Sequence, residues 1–240
     1  MKEFLKKIIR LVQIPFVITD YVKFNSYGNK RFINRICDFY PQIKDKTFKT
    51  GFDRHYVYHT SWAARKLAEI KPDKHIDISS SLYFAGIVSA FIPIDFYDYR
   101  PADIKLNGLT SNKGDLMELP FQDSSVKSLS CMHTVEHIGL GRYGDKIDPD
   151  GDLKAINELI RVLAPGGSLL FVVPVGKPKI EFNAHRIYSL DQIKKHFSNL
   201  ELMEFALIPE NEDGVVVNAS SGRVSEENYG CGCFWFKKIV

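Results

Sequence analysis

No run of 18 apolar residues occurs in this 240-residue chain, which excludes a membrane-spanning helix of ordinary length. Cysteine is scarce and unpaired in sequence: Cys37, Cys131, Cys231 and Cys233 form no C-x-x-C and no zinc-ribbon spacing. A chain of this size has no need of disulfides, so the expected compartment is the reducing cytoplasm. Charge of one sign is also missing. With 32 basic and 29 acidic residues the net charge is +3, and basic residues cluster only at the N-terminus, which argues against a nucleic-acid partner. What is present is ordinary for one α/β domain with an appendage: 45% apolar and 25% charged residues. The expected division is an N-terminal extension over residues 1–50 and a domain over 51–240.

The first residues have helical periodicity. At 100° per residue Met1, Phe4, Leu5, Ile8, Ile9, Leu11 and Val12 share one half of a helix, and Lys2, Glu3, Lys6, Lys7, Arg10 and Gln13 the other. Pro15 is expected to end it. Arg10 and Gln13 interrupt the apolar stretch and no small-residue cleavage site follows, unlike a signal peptide. Such a helix either packs on the domain or lies in an anionic membrane surface, placing the protein at the membrane periphery. A short helix is expected over Lys30 to Phe39. A better-defined helix starts from a cap at Thr60 or Ser61, carries Trp62, Ala63, Leu67 and Ile70, and is closed by Pro72. Arg54, His55 and His59 then fall just before it, either as solvated loop residues or as cations facing a ligand carboxylate.

From Lys74 onward strands and helices alternate. Strands are expected over 75–78, 91–97, 126–133, 168–175 and 200–207, and helices over 152–163 and 190–197, with Asp152 as N-cap and Pro165-Gly166-Gly167 as the stop. Alternation with short connections implies a parallel sheet whose ligands bind beyond the carboxyl ends of the strands. The candidate motifs fall at those ends: Asp77-Ile78-Ser79-Ser80-Ser81, Asp98-Tyr99-Arg100-Pro101, Gly114-Asp115-Leu116, Val135-Glu136-His137-Ile138 and Leu163-Ala164-Pro165-Gly166-Gly167.

In their order and spacing these phrases resemble the class I S-adenosylmethionine-dependent methyltransferases over roughly Ile70 to Phe205. The resemblance implies an α/β fold class, a Rossmann-like doubly wound, mostly parallel sheet with helices on both faces, here with an N-terminal helical extension. It also implies S-adenosylmethionine as cofactor. Asp77, Ser79 and Ser81 would wrap its methionine part, Asp98 would take the ribose hydroxyls, and Asp115, with Leu116 beside it, the adenine amino group. Two departures stand out: Ser79 and Ser81 replace glycines whose missing Cβ permits close approach or positive φ, and the fourth strand opens Val126-Lys127 in place of Phe-Asp. Phe96 to Pro101 and Glu136 to Asp145 also resemble an uncharacterised domain family first described from nematode proteins and found in bacteria too. That resemblance implies no activity.

His133-Thr134-Val135-Glu136-His137 is the densest chemical cluster. In the methyltransferase reading His133 or His137 is the base for an acceptor hydroxyl and Glu136 orients the imidazole or binds substrate; alternatively Glu136 and His137 pair within a turn. The same residues spell the inverted zinc-peptidase signature, which requires a helix where the pattern reads as strand, so no metal ligands are assigned. The Gly139 to Asp152 loop lacks the glycine and glutamate of a calcium loop and reads as a lid, with Arg142 and Tyr143 touching substrate. His185 is a further acceptor-pocket candidate. Cys231 and Cys233, two apart on a final strand, are expected as small buried residues with no histidine partner. The expected function is methyl transfer to a small-molecule or glycan hydroxyl. The alternative is a non-catalytic binding module with a degenerate cofactor turn. The sequence leaves the oligomeric state open.

Overall fold

The computed structural model describes residues 2–27, 31–43, 45–212 and 214–239, with side chains from residue 14 onward. In chain order the elements are α1 (Lys2–Ser26), α2 (Arg54–Ile70), β1 (His75–Ile78), α3 (Leu82–Val88), β2 (Ile94–Asp98), β3 (Leu109–Lys113), β4 (Val126–Met132), α4 (Gly151–Val162), β5 (Leu163–Val175), β6 (Lys179–Glu181), β7 (His185–Ile187), α5 (Leu190–His196), β8 (Leu200–Ile208), β9 (Val216–Val217), α6 (Ser221–Ser225) and β10 (Gly230–Lys238). They divide into two compact units, Met1–Phe52 and Asp53–Val240.

In the first unit, α1 continues past Pro15 to Ser26, forgoing the amide hydrogen bond that proline cannot donate. Proline restricts the preceding residue without forbidding helix, and here the turns on both sides form. The side chains that define the expected basic and apolar faces, residues 2–13, lie outside the described ones. Of the helix expected over Lys30 to Phe39, only a single 3-10 turn, Ile36–Asp38, forms among the described residues.

The second unit holds an eight-stranded sheet in the order β3-β2-β1-β4-β5-β10-β8-β9. The pairs β2–β3, β1–β2, β1–β4 and β4–β5 are parallel. β10 runs antiparallel between β5 and β8, and β9 antiparallel along β8. Chain order reverses across β1 and β4, which makes their carboxyl ends the natural ligand crevice.

Side chains alternate along β5 and are buried on both sides. Leu169, Phe171 and Val173 pack with Ile156 and Leu159 of α4 and Ile193 of α5, and Leu170 and Val172 with Trp62 and Leu67 of α2 and Phe84 of α3. Helices therefore cover both faces.

Two boundaries correct the sequence reading. α2 begins at Arg54, not at Thr60: the Asp53 carboxylate accepts from Tyr56 N at 3.1 Å, while the Thr60 hydroxyl donates back to Tyr56 O at 2.5 Å within the helix. His55 and His59 are thus one helical turn apart on one face. Asp152 is not the N-cap of α4 but sits buried in its first turn, where Tyr188 Oη donates to it at 2.9 Å and Arg186 Nε lies 3.5 Å away.

Candidate active site

The β1 turn keeps the shape that glycine would favour although it is built from serine. Ser79 has φ 54°, a left-handed conformation that costs an L-residue about 1 kcal/mol. Its N–H donates to Tyr97 O at 2.7 Å and its hydroxyl to the same oxygen at 3.1 Å, so the strand beside it holds the strained residue in place. The Thr134 hydroxyl donates to Ser79 O at 3.0 Å, and Met132 N donates to Ser80 Oγ at 3.1 Å. These bonds tie the ends of β1, β2 and β4 together.

A cavity of about 250 Å³ opens at those ends, lined among others by Ser79, Asp98, Asp115, Leu116, His133 and His137. Tyr143 lies on its rim between two cations, with the Arg100 and Arg142 guanidinium carbons 4.8 and 5.2 Å from its ring centroid. A wider groove of about 750 Å³ adjoins it, sharing Asp98 and Arg100 and reaching Ser80, Ser81 and Tyr56. Asp98 Oδ1 accepts from Arg100 N at 2.7 Å, and its second oxygen has no partner among the described residues. Asp115 Oδ1 closes its own turn on Met117 N at 2.8 Å.

Asp77 lines neither space. It is fully buried in β1, where the Ser130 hydroxyl donates to Oδ1, while Oδ2 has no partner among the described residues. Behind Ser130 sits the equally buried His75, with Nε2 2.8 Å from Ser130 Oγ and Nδ1 2.8 Å from Ser128 Oγ. Burial raises the Asp77 carboxyl to about 7 and lowers the His75 imidazole to about 3.

The expected histidine cluster forms, with additions. His133, itself at φ 56°, donates from Nδ1 to Glu136 Oε1 at 2.9 Å. Its Nε2 lies 3.4 Å from Cys231 Sγ on β10, which corrects the expectation that this cysteine has no histidine partner. Four further rings from distant segments pack around the same centre. The His55 and Tyr56 rings stack on His133 at 5.6 and 5.8 Å, His59 meets it edge-on at 4.9 Å, and Tyr229 stacks on His55 at 5.0 Å. His137 donates from Nδ1 to Ala184 O at 2.6 Å, so Nε2 carries the free lone pair, 3.7 Å from Glu136 Oε1.

Desolvation governs the charges. It pushes Glu136 up to about 7, holds His55 and His133 down at about 4 and His59 at about 3, and also lowers His137. The imidazoles are therefore neutral at pH 7.

The remaining site residues are placed as follows. Glu136 is fully buried behind His133 and His137, with Oε2 unpartnered among the described residues. Arg142 donates to Ala184 O at 3.0 Å and is not part of the cavity lining. The His185 ring lies 6.4 Å from that of His137 and 4.8 Å from that of Tyr229, outside the lining. Ser81 faces the groove, not the cavity. The zinc-peptidase reading fails: β4 is a strand and Val135–His137 a single 3-10 turn, so the helix that signature requires is absent. Sequence reasoning missed Tyr56, Tyr229 and Cys231. The i, i+4 spacing of His55 and His59 before Trp62 was the available signal for α2.

A family model described as Caenorhabditis protein of unknown function, DUF268, matches residues 120–221. No curated protein matches the chain in sequence. Solved structures do match in fold. One belongs to the complex between the Haloferax volcanii Trm112 methyltransferase activator and its candidate methyltransferase: 18% identity, 78% of this chain and 91% of that one, TM-score 0.52. Another is the Burkholderia thailandensis 1,6-didemethyltoxoflavin-N1-methyltransferase with bound 1,6-didemethyltoxoflavin and S-adenosylhomocysteine: 9% identity, 76% and 79% coverage, TM-score 0.51. The [4+2]-cyclase SpnF matches at 14% identity, 75% and 81% coverage and TM-score 0.51. The chain has the Rossmann-like methyltransferase fold. Likeness at these identities carries the architecture and leaves the chemistry to the site.

Proposed function

We propose that the protein is an S-adenosylmethionine-dependent methyltransferase acting on a small-molecule or glycan hydroxyl. The observation that carries this reading is the convergence of Ser79, Asp98, Asp115 and His137, from the ends of four strands, on one cavity. The cavity suits the cofactor: the β1 turn keeps a positive φ despite its serine, and Asp98 has an oxygen to spare. Asp98 would accept the ribose hydroxyls, Asp115 with Leu116 would hold the adenine, and the Ser79 to Ser81 turn would face the methionine part. Asp77, sealed in the sheet, would act by fixing β1 against β4. The bound cofactor supplies an electrophilic methyl group on a sulfonium.

His137 is the better base of the two candidates. Both ring nitrogens of His133 are engaged, whereas His137 Nε2 keeps its lone pair with Glu136 at 3.7 Å to balance the imidazolium formed when it takes the acceptor proton. Arg100 and Tyr143, which line the cavity, would grip an acceptor rich in hydroxyls, with Arg142 stacked on Tyr143 and His185 beside His137 flanking it from outside the lining. The exposed Phe16, Val22 and Phe24 of α1, following Lys2, Lys6, Lys7 and Arg10 in sequence, support a place at an anionic membrane surface.

Calorimetric titration of the full chain with S-adenosylmethionine and S-adenosylhomocysteine tests the reading. One site per chain is expected, weakened about ten-fold or more by Asp98→Ala, the loss of a charged hydrogen-bond acceptor. Absence of binding by folded protein would leave a non-catalytic module; unchanged affinity in Asp98→Ala would remove the ribose assignment.

A further inference from the structure

Three side chains that meet beside the cavity come from segments far apart in the chain. His55 lies in the first turn of α2, His133 follows β4 and Cys231 stands at the start of β10. One ligand atom from each falls within a sphere where all lie inside 4.8 Å of one another. We propose that these three residues hold a zinc ion, a site independent of the methyltransferase reading.

The donor set is two imidazole nitrogens and one sulfur, which suits zinc and excludes the oxygen-seeking magnesium and calcium. Zinc–nitrogen and zinc–sulfur lengths of about 2.0 and 2.3 Å place tetrahedral N and S ligands roughly 3.5 Å apart. The Cys231 Sγ to His133 Nε2 distance is 3.4 Å. His133 is also oriented as metal-binding histidines are: Nδ1 donates to the buried Glu136 carboxylate, which fixes the tautomer and leaves Nε2 for the ion.

The ring nitrogens of His55 have no hydrogen-bond partner among the described residues, and one of them falls in the group with His133 and Cys231. Binding releases one proton, from the Cys231 thiol, because the thiolate is the ligand. His55 is only half-buried and gives the ion a way in. The fourth position is left to water or to a substrate atom. His59 Nε2, buried and unpartnered among the described residues, lies in the same ring cluster and keeps the site's surroundings polar.

The test uses the full chain, stripped with chelator and titrated with Co²⁺ as a spectroscopic substitute. One equivalent is expected to give a thiolate-to-cobalt charge-transfer band and the visible bands of tetrahedral coordination, both bleached by one equivalent of Zn²⁺. Cys231→Ser should abolish the charge-transfer band. His55→Ala, at a half-buried position and checked for retained folding by circular dichroism, should weaken binding at least ten-fold, as should Glu136→Gln. Cys37→Ser should leave the spectrum unchanged. No thiolate band in the folded wild-type chain, a band that survives Cys231→Ser, or full affinity in His55→Ala would each overturn the site. The cofactor titration is read separately, so either proposal can fail alone.

Discussion

Asp77 shows how firmly the sheet holds a side chain whose motif resembles a ligand contact. Its carboxyl is fully buried, bonded to Ser130 and raised to about 7 by desolvation. A carboxyl whose folded pKa lies above its unfolded one stabilises the native state at low pH, and that contribution is lost as pH rises through 7. Asp77→Asn cannot lose it. The stability of the variant relative to wild type should therefore rise by about 2–3 kcal/mol between pH 5 and pH 8. Urea unfolding at the two pH values measures this, and parallel pH profiles would contradict the assigned burial. Ser79 shows the complementary case, a residue whose strained φ is held by two hydrogen bonds to Tyr97 O. A serine in a glycine position leaves the turn intact because a side chain that bonds back to the neighbouring strand offsets the conformational cost.

At the scale of elements, the 139–152 loop is more constrained than a free lid. Gly139 N, Gly141 N and Tyr143 N donate to the Asp145 carboxylate at 2.8, 3.3 and 3.1 Å, which lowers its pKa. Gly139 has φ 79°, and a Cβ there would fall 2.0 Å from Asp148 O. Asp145→Ala should destabilise the fold by about 1–3 kcal/mol and weaken cofactor binding, because the same residue lines the cavity. Thermal unfolding and the calorimetric titration read the two effects; wild-type values in both would show the loop ordered by other contacts.

Elements were legible wherever a local period declared them. The apolar runs of β1, β4 and β5 and the stripe Ile156, Leu159, Ile160 of α4 are properties of neighbouring residues, and a mostly parallel sheet follows from the alternation of strands and helices. Caps were less legible: Thr60 and Asp53 both satisfy the N-cap rule, and only the backbone decides between them. Pro15 is similar, since its cost is local and the helix on either side outweighs it. The meeting of Cys231 with His133, 98 residues apart, has no local signature at all. It depends on β10 inserting antiparallel between β5 and β8, a tertiary arrangement that neither hydrophobic pattern nor spacing encodes.

For the whole molecule, chain order reverses at β1 and β4 and opens a crevice at their carboxyl ends. Asp98 and Asp115, which line the cavity, are singled out through the resemblance carried by their strand-end motifs; the aromatic and histidine wall has no such motif, because α2 and β10 bring it from opposite ends of the domain. The central claim is that four strand ends form one cofactor site. Hydrogen–deuterium exchange of the full chain with and without saturating S-adenosylhomocysteine tests it most directly. Slowed exchange is predicted in peptides covering 79–83, 98–101, 114–117 and 133–137, with β8 and β9 unchanged. Protection confined to other surfaces, or none in folded protein, would contradict it.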